Sequence, residues 1–246
     1  MDLDILSWNC RGLCGDTTRR ALKDLISQNK PQIVFLSETK ISDVQEVKYL
    51  QMTLGFTNVE FFLSDGRSGG LCMLWNDDVK LQIGSKSLNH IDAVVVGEGG
   101  LPSWRLTGFY GYPVTADRDK SWQLLRDLSD LDSLPWVNII GDFNEILNNS
   151  EKIGGAIRSE RQMRGFRDAL GYGDLLDMGF HGVMPTWGNS DTLLRLDRAV
   201  CTTSWFDIFH HAKLFHLPPS DSDHVPLLLK AITGLLAVKQ KVHRFQ

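Results

Sequence analysis

Four short stretches carry oxygen-rich side chains directly after apolar runs, and oxygen is what a small divalent cation takes as ligand. They are Ser7-Trp8-Asn9-Cys10-Arg11-Gly12, Ser37-Glu38-Thr39-Lys40, Gly141-Asp142-Phe143-Asn144 and Ser220-Asp221-Ser222-Asp223-His224. Each offers a carboxylate or an amide where an extended segment ends, the edge at which α/β folds assemble sites. Asn9, Glu38 and Asp223 are hard ligands suited to Mg²⁺, which keeps several waters and takes few protein oxygens. Taken singly, each stretch reads equally well as a solvated turn, because Asn, Asp and Ser are ordinary turn residues.

The elements that must position these residues are written in the hydrophobic pattern. Short apolar runs rich in β-branched residues alternate with amphipathic segments, which predicts a mixed α/β chain. A strand is expected over 3–8. After Asp16-Thr17-Thr18 as a cap, Leu22, Leu25 and Ile26 repeat at helical spacing until Pro31. Ile33-Val34-Phe35-Leu36 is a buried strand, and a second helix covers 44–54 and stops at Gly55. Strands over 59–63, 71–75, 79–83, 93–96 and 105–110 give the middle block the pattern of one meander. Leu124, Leu125, Leu128 and Leu131 stripe another helix, and 136–140 is a continuous apolar strand of the kind buried on both faces. A further helix is expected over 159–170, then short strands near 186–187, 196–200, 212–216 and 225–229. No linker, repeat or low-complexity tract interrupts the chain, so one domain over 1–232 and a C-terminal tail over 233–246 are expected.

Composition narrows the classes. The 246 residues carry 30 acidic against 26 basic side chains, a net charge of −4, which argues against a basic nucleic-acid coat protein and makes any phosphate contact local. With 42% hydrophobic and 23% charged residues the chain can bury a core, which excludes disorder and a disulfide-stapled scaffold. Apolar runs reach about five residues, against roughly 18 for a membrane span. The Met-Asp-Leu-Asp-Ile-Leu start has no basic leader, so an intracellular, non-secreted chain with reduced cysteines is expected. Cys10 and Cys14 are spaced like half a zinc site, but Cys72 and Cys201 are isolated, and burial as small apolar side chains is the better account.

In combination and in this order, the four stretches resemble the endonuclease/exonuclease/phosphatase superfamily, over residues 2 to 230. Trp-Asn-x-Arg-Gly, Ser-Glu-Thr-Lys, Arg-Ser-Gly-Gly-Leu, Gly-Phe-Tyr-Gly-Tyr-Pro, Gly-Asp-Phe-Asn-Glu, Arg-Leu-Asp-Arg and Ser-Asp-His-x-Pro look most like the endonuclease domain of plant LINE-type non-LTR retrotransposons. The resemblance implies a DNase I-like four-layer α/β sandwich, two packed mixed β-sheets flanked by helices. It implies Mg²⁺-dependent hydrolysis of a phosphodiester, with Mn²⁺ as a substitute. Glu38, with Asn9 close by, would hold the metal, and Asp223 would support the metal or the leaving-group side. Asp142 would orient and deprotonate water, Asn144 would bond the phosphate or the water, and Tyr110 would donate to a non-bridging oxygen. His224 would contact the scissile phosphate with its orientation fixed by Asp197. DNA is the implied partner of a monomeric, nuclear protein; in related elements a reverse transcriptase follows, and none is present in this chain.

Two departures bear on this. Arg11 stands where the abasic-repair branch has an acidic metal ligand, which favours one metal over two. The stretch 189–194 is short where retrotransposon relatives carry a longer DNA-groove hairpin, which should weaken target choice more than chemistry. By resemblance, Arg67, Thr186, Trp187 and Arg195 flank the DNA groove, and Trp187 reads as a stacking wedge or as a core aromatic. Arg158, Arg161, Arg164 and Arg167 form a basic helix face, offset by Glu160 and Asp168, that is either solvated or phosphate-binding. Two other functions compete: a phosphomonoesterase of the same superfamily, and a silent nucleic-acid-binding remnant.

Overall fold

Alternation of apolar side chains on both faces of the central strands requires two cores, one on each side of a sheet. The computed structural model, which describes residues 2–233 other than Arg67 and Asp132, meets this requirement twice. Arg67 and residues 234–246 of the expected tail therefore lie outside the described residues. In chain order the first strands are β1 (Leu3–Asn9), β2 (Ile33–Ser37), β3 (Asn58–Phe62), β4 (Leu71–Trp75), β5 (Leu81–Lys86), β6 (His90–Val95) and β7 (Trp104–Tyr110). They are followed by β8 (Trp136–Asp142), β9 (Lys152–Ile153), β10 (Leu175–Asp177), β11 (Trp187–Gly188), β12 (Leu193–Leu194), β13 (Asp197–Thr202), β14 (Lys213–His216) and β15 (Leu227–Ala231). The helices are α1 (Asp16–Asn29), α2 (Val44–Leu54), α3 (Arg118–Ser129), α4 (Glu160–Tyr172) and α5 (Thr203–Ile208).

One six-stranded sheet runs β14-β15-β1-β2-β4-β3 and the other β10-β13-β8-β7-β6-β5; β11, β12 and β9 make a small third sheet. The strands expected to form one meander are divided between the two large sheets. β3 and β4 pair in the first, while β5, β6 and β7 are the antiparallel run of the second. Between the sheets lie Leu3 and Ile5 of β1, Ile33 and Phe35 of β2, Leu106 of β7 and Ile140 of β8. The opposite face of the first sheet, Leu6, Trp8, Val34 and Leu36, packs under Leu22 and Leu25 of α1 and Val47 and Leu50 of α2. The opposite face of the second sheet, with Phe109, Trp136 and Val200, is covered by Trp122 and Leu125 of α3 and Phe166 of α4. Each such side chain contributes about 1.5–3 kcal/mol by leaving water.

The result is the four-layer α/β sandwich that the resemblance implied. Its sheets approach closely at Gly108, where a Cβ would stand 2.2 Å from the Phe35 ring. The loop caps are local. Asp43 accepts from the Gln45 amide to start α2, and Gly55, at φ 78°, ends it. Among the described residues no helix is long and apolar enough to cross a membrane. The four cysteines are free thiols; Cys10, Cys72 and Cys201 are buried and Cys14 is exposed.

Candidate active site

Strand direction explains how residues far apart in sequence meet at one edge. β1 and β2 are parallel with Asn9 opposite Ser37, so Glu38 emerges one residue beyond, beside Asn9. β15 runs antiparallel to β1, with Leu227 opposite Ser7, so the residues before β15 return to the same edge and bring His224 there. In the second sheet the parallel pair β7 and β8 sets Tyr110 opposite Asp142, and antiparallel β13 sets Asp197 opposite Asp142. Alternation then decides the face. Asn9 follows Leu3 and Ile5, Asp142 follows Ile140, and Asp197 precedes Ala199 and Cys201, all inter-sheet residues. Asn9, Asp142 and Asp197 thus point into the space between the sheets where the apolar core ends.

Asn9 is the hub. Its Nδ2 donates to Glu38 Oε1 at 3.1 Å and to Asp142 Oδ2 at 3.0 Å, and lies 3.4 Å from His224 Nε2. Its Oδ1 accepts from the Arg11 amide at 3.2 Å. Asn9, expected as a metal ligand, therefore turns N–H rather than oxygen toward the carboxylates, and a donor there ties ligands together instead of being one. The Tyr110 hydroxyl donates to Glu38 Oε1 at 2.9 Å. Asp142 Oδ1 accepts from the Asn144 amide at 2.8 Å, and Asn144 Nδ2 donates to the Gly111 carbonyl at 2.8 Å. His224 Nδ1 is 2.8 Å from Asp197 Oδ2, and its Nε2 is 3.6 Å from Asp142 Oδ2. Asp223 receives the Trp187 indole N–H at 2.9 Å and the Arg11 Nε at 3.1 Å.

The backbone at this edge is unusual. Arg11, Glu38, Lys40 and Asn144 all have left-handed φ, between 48° and 56° with the two other non-glycine cases, Lys30 and Asp174. Each such residue costs on the order of 1–3 kcal/mol and is retained where the surroundings hold it, commonly at functional sites. Three supporting residues were not expected from the sequence. The Trp8 indole donates to the His224 carbonyl at 3.1 Å, and the Ser222 hydroxyl donates to the Asn9 carbonyl at 2.8 Å while accepting from the His224 amide at 3.1 Å. Lys40 Nζ donates to the Arg11 carbonyl at 2.8 Å. All three residues sit inside the sequence motifs, but only tertiary pairing shows what they fasten.

Burial shifts the titrations. Asp142 is raised to about 6, by its removal from water and by the Asp197 charge, against the opposing pull of His224. Burial alone would lower His224, but the Asp197 and Asp142 carboxylates overcome it and raise the ring to about 9. Tyr110 is pushed well above the ordinary phenol range, first by burial and then by Glu38.

The donor set fits a divalent cation. Glu38 and Asp223 are hard carboxylates that already converge on one positive group, because the Arg11 guanidinium touches both. Asp142, Asp197 and His224 also come within 4.8 Å of one another. There the Asp197 oxygen and His224 Nδ1 bond each other, so that trio reads better as a proton-handling group than as a cage.

The profile of the Endonuclease/Exonuclease/phosphatase family matches residues 6–224, from β1 to His224. The chain belongs to this family. Its fold is shared with the AP endonuclease of Leishmania major, at a TM-score of 0.72 and 16% identity over 95% of this chain and 88% of that one. A 3'-5' exonuclease from Neisseria meningitidis gives 0.69 and 16% over 92% and 98%. The endonuclease domain of TRAS1, a telomere-specific non-LTR retrotransposon, gives 0.64 and 14% over 93% and 98%. No curated protein matches the sequence.

In this family member the residues expected to touch DNA fall into three groups. Thr186 and Arg195 are corrected. Thr186 is fully buried, its hydroxyl accepting from the Leu196 and Asp197 amides at 2.9 Å, which fixes the start of β13. Arg195 is 5% exposed, with its guanidinium bonded to Glu151 at 2.8 Å and Asp177 at 2.7 Å, in a network shared with Arg198. Neither has a face for a phosphate. Arg158 is partly committed, 3.1 Å from buried Glu145, and Arg167 pairs with Glu160 and the Leu147 carbonyl. Arg161 and Arg164 are exposed, and half-buried Trp187 walls two depressions. One, of about 500 Å³, includes Lys152, Arg158 and Gln162; the other, of about 670 Å³, is largely apolar and reaches His224 through Leu193, Pro219 and Val225.

Proposed function

We propose that the chain is a divalent-metal-dependent DNA endonuclease of the retrotransposon type, nearest the plant LINE branch. The observation that carries this reading is the convergence of Glu38, Asn9, Asp142, Asp197 and His224 where the two sheets end together, each held by hydrogen bonds before any substrate arrives. Glu38 and Asp223 would hold Mg²⁺, or Mn²⁺ in its place, which when bound would supply Lewis-acid polarisation of the phosphate.

The chain's own residues do the rest. Asp142, fixed by the Asn9 and Asn144 donors, takes the proton of the attacking water; its raised pKa makes it a better base than a solvated carboxylate. Asp197 holds the His224 ring through Nδ1, so that Nε2, protonated, donates to a non-bridging phosphate oxygen. Tyr110 buttresses Glu38, and the second N–H of the Asn144 amide serves the phosphate or the water. The apolar depression beside His224 suits the sugar or base of a nucleotide better than a polyhydroxylated inositol ring, which supports DNA over the phosphatase reading. The Arg-Ser-Gly-Gly-Leu and Gly-Phe-Tyr-Gly-Tyr-Pro motifs support the retrotransposon branch, with a monomeric protein working in the nucleus.

The test is supercoiled plasmid with Mg²⁺ or with EDTA, beside a panel of small phosphomonoesters. Conversion to nicked circle in Mg²⁺ alone is expected. Phosphate release without nicking would transfer the site to a phosphomonoesterase, and a folded protein silent in both would be a binding remnant.

A further inference from the structure

Arg11 occupies a place in the site where its positive charge conflicts with a metal. Its Nη1 lies 3.2 and 3.3 Å from the two Glu38 oxygens, and its Nε lies 3.1 Å from Asp223 Oδ1. One guanidinium therefore spans the two carboxylates that a cation would use. The placement is built by the local chain: Arg11 takes φ 53°, Gly12 follows at φ 123°, the Arg11 amide is held by Asn9 Oδ1, and its carbonyl by Lys40 Nζ. The carboxylate and the cation differ in freedom. The Glu38 side chain is 9% exposed and pinned by Asn9 and Tyr110, whereas the Arg11 side chain is 47% exposed and borders solvent.

We propose that Arg11 is a resident counter-cation, which a divalent metal must displace from Glu38 and Asp223 before it can bind. This rests on the reading of those two carboxylates as the metal site. A guanidinium and a divalent ion cannot share oxygens within the same few ångströms without strong repulsion, so occupancy is exclusive. Without metal, the guanidinium then offsets one of the two carboxylate charges, and metal affinity is set by competition with a tethered rival as well as by the ligands. The displaced guanidinium remains at the rim, where a phosphate would be its next partner.

The experiment is Mn²⁺ binding, followed by the loss of the free-ion electron paramagnetic resonance signal, on the full chain and on Arg11→Gln, Arg11→Lys and Glu38→Gln. Arg11→Gln is expected to bind Mn²⁺ roughly tenfold tighter, because the rival charge is gone, with Arg11→Lys in between. Glu38→Gln is expected to lose binding. Unchanged or weaker binding by folded Arg11→Gln, with binding still lost in Glu38→Gln, would overturn the proposal and leave the metal site standing. Wild-type binding in Glu38→Gln would overturn both. A variant-independent readout is the Arg11 Nε–H resonance of the wild type, which should shift as Mg²⁺ is added; a resonance unmoved at saturating Mg²⁺ would also overturn the proposal.

Discussion

In the proposed mechanism Asp142 and His224 have opposite protonation requirements, and both are shifted upward, Asp142 by burial and His224 by its carboxylate neighbours. As the proposed base, Asp142 must be ionised to accept a proton, yet burial raises it to about 6, so the active form is expected to be lost as pH falls below that value. As the proposed donor to phosphate, His224 must be protonated, and Asp197 helps raise it to about 9, so activity is expected to be lost as pH rises beyond it. The expected rate profile under saturating Mg²⁺ is a plateau between these limits, with the acid limb falling about tenfold per pH unit. A rate flat from about pH 7 down to about pH 4.5 would remove Asp142 as the base. Asp197→Asn takes away the carboxylate that raises the ring, so the alkaline limb should move to lower pH and turnover drop by roughly two to four orders of magnitude. Turnover and profile that match the wild type would mean Asp197 has no positioning role. At this scale Asn9, Glu38, Asp142 and His224 could be singled out as candidates because Asn9 and Asp142 close apolar strands, Glu38 follows one and His224 comes shortly before one. What the sequence concealed was orientation: that Asn9 presents its N–H, and that Arg11 closes on Glu38 and Asp223, depend on side-chain rotation across segments far apart in the chain.

At the scale of elements, β13 is the piece most dependent on buried charge. Arg195 and Arg198 flank Asp197 and bind Glu151 and Asp177 from both sides, while Thr186 clamps the Leu196 and Asp197 amides between them. Breaking a buried ion pair costs about 3–5 kcal/mol, and removing Arg198 leaves two buried carboxylates, Glu151 and Asp177, to share Arg195 alone. Arg198→Met should therefore lower Tm by roughly 10 °C, and a melting curve within a degree or two of wild type would show the network to be idle. The same network predicts acid lability. Burial opposes ionisation of Glu151 and Asp177, but the guanidiniums hold both below their ordinary values of 4.5 and 3.8. Their contribution is thus complete above those ordinary values and lost as pH falls through the depressed ones. Tm should decline from about pH 4 downward, less steeply in Arg198→Met. Long apolar elements such as β2, β4 and α2 could be read from periodicity. β9, β12 and α5 could not: strands of two residues and a helix of six are shorter than any period they might display. Arg195 was misplaced for a related reason, since an arginine in a loop motif looks exposed until Glu151 and Asp177 are brought beside it.

The whole molecule carries a net charge of −4, so the proposed binding of DNA would have to come from a local surface rather than from its overall field. The exposed pair Arg161 and Arg164 lies on α4, whose N-terminal end borders the depression walled by Trp187. Replacing both with alanine should raise KM for plasmid with little change in kcat. It should also flatten the log–log salt dependence of DNA binding by about 0.9 for each phosphate that is no longer neutralised. An unchanged slope would confine DNA binding to the catalytic edge. The hydrophobic pattern alone gave a mixed α/β chain, and the four layers came from the family resemblance; which of the middle strands joined which sheet was not legible, because pairing is a long-range choice. All of this architecture serves one claim, that two sheets end together to hold a hydrolytic phosphodiester site. The most direct measurement is nicking of supercoiled plasmid in saturating Mg²⁺ by wild type and by Asp142→Asn, with folding of both checked by circular dichroism. The expected result is a loss of about three orders of magnitude or more in the variant. Nicking by Asp142→Asn at a rate close to wild type would contradict the account.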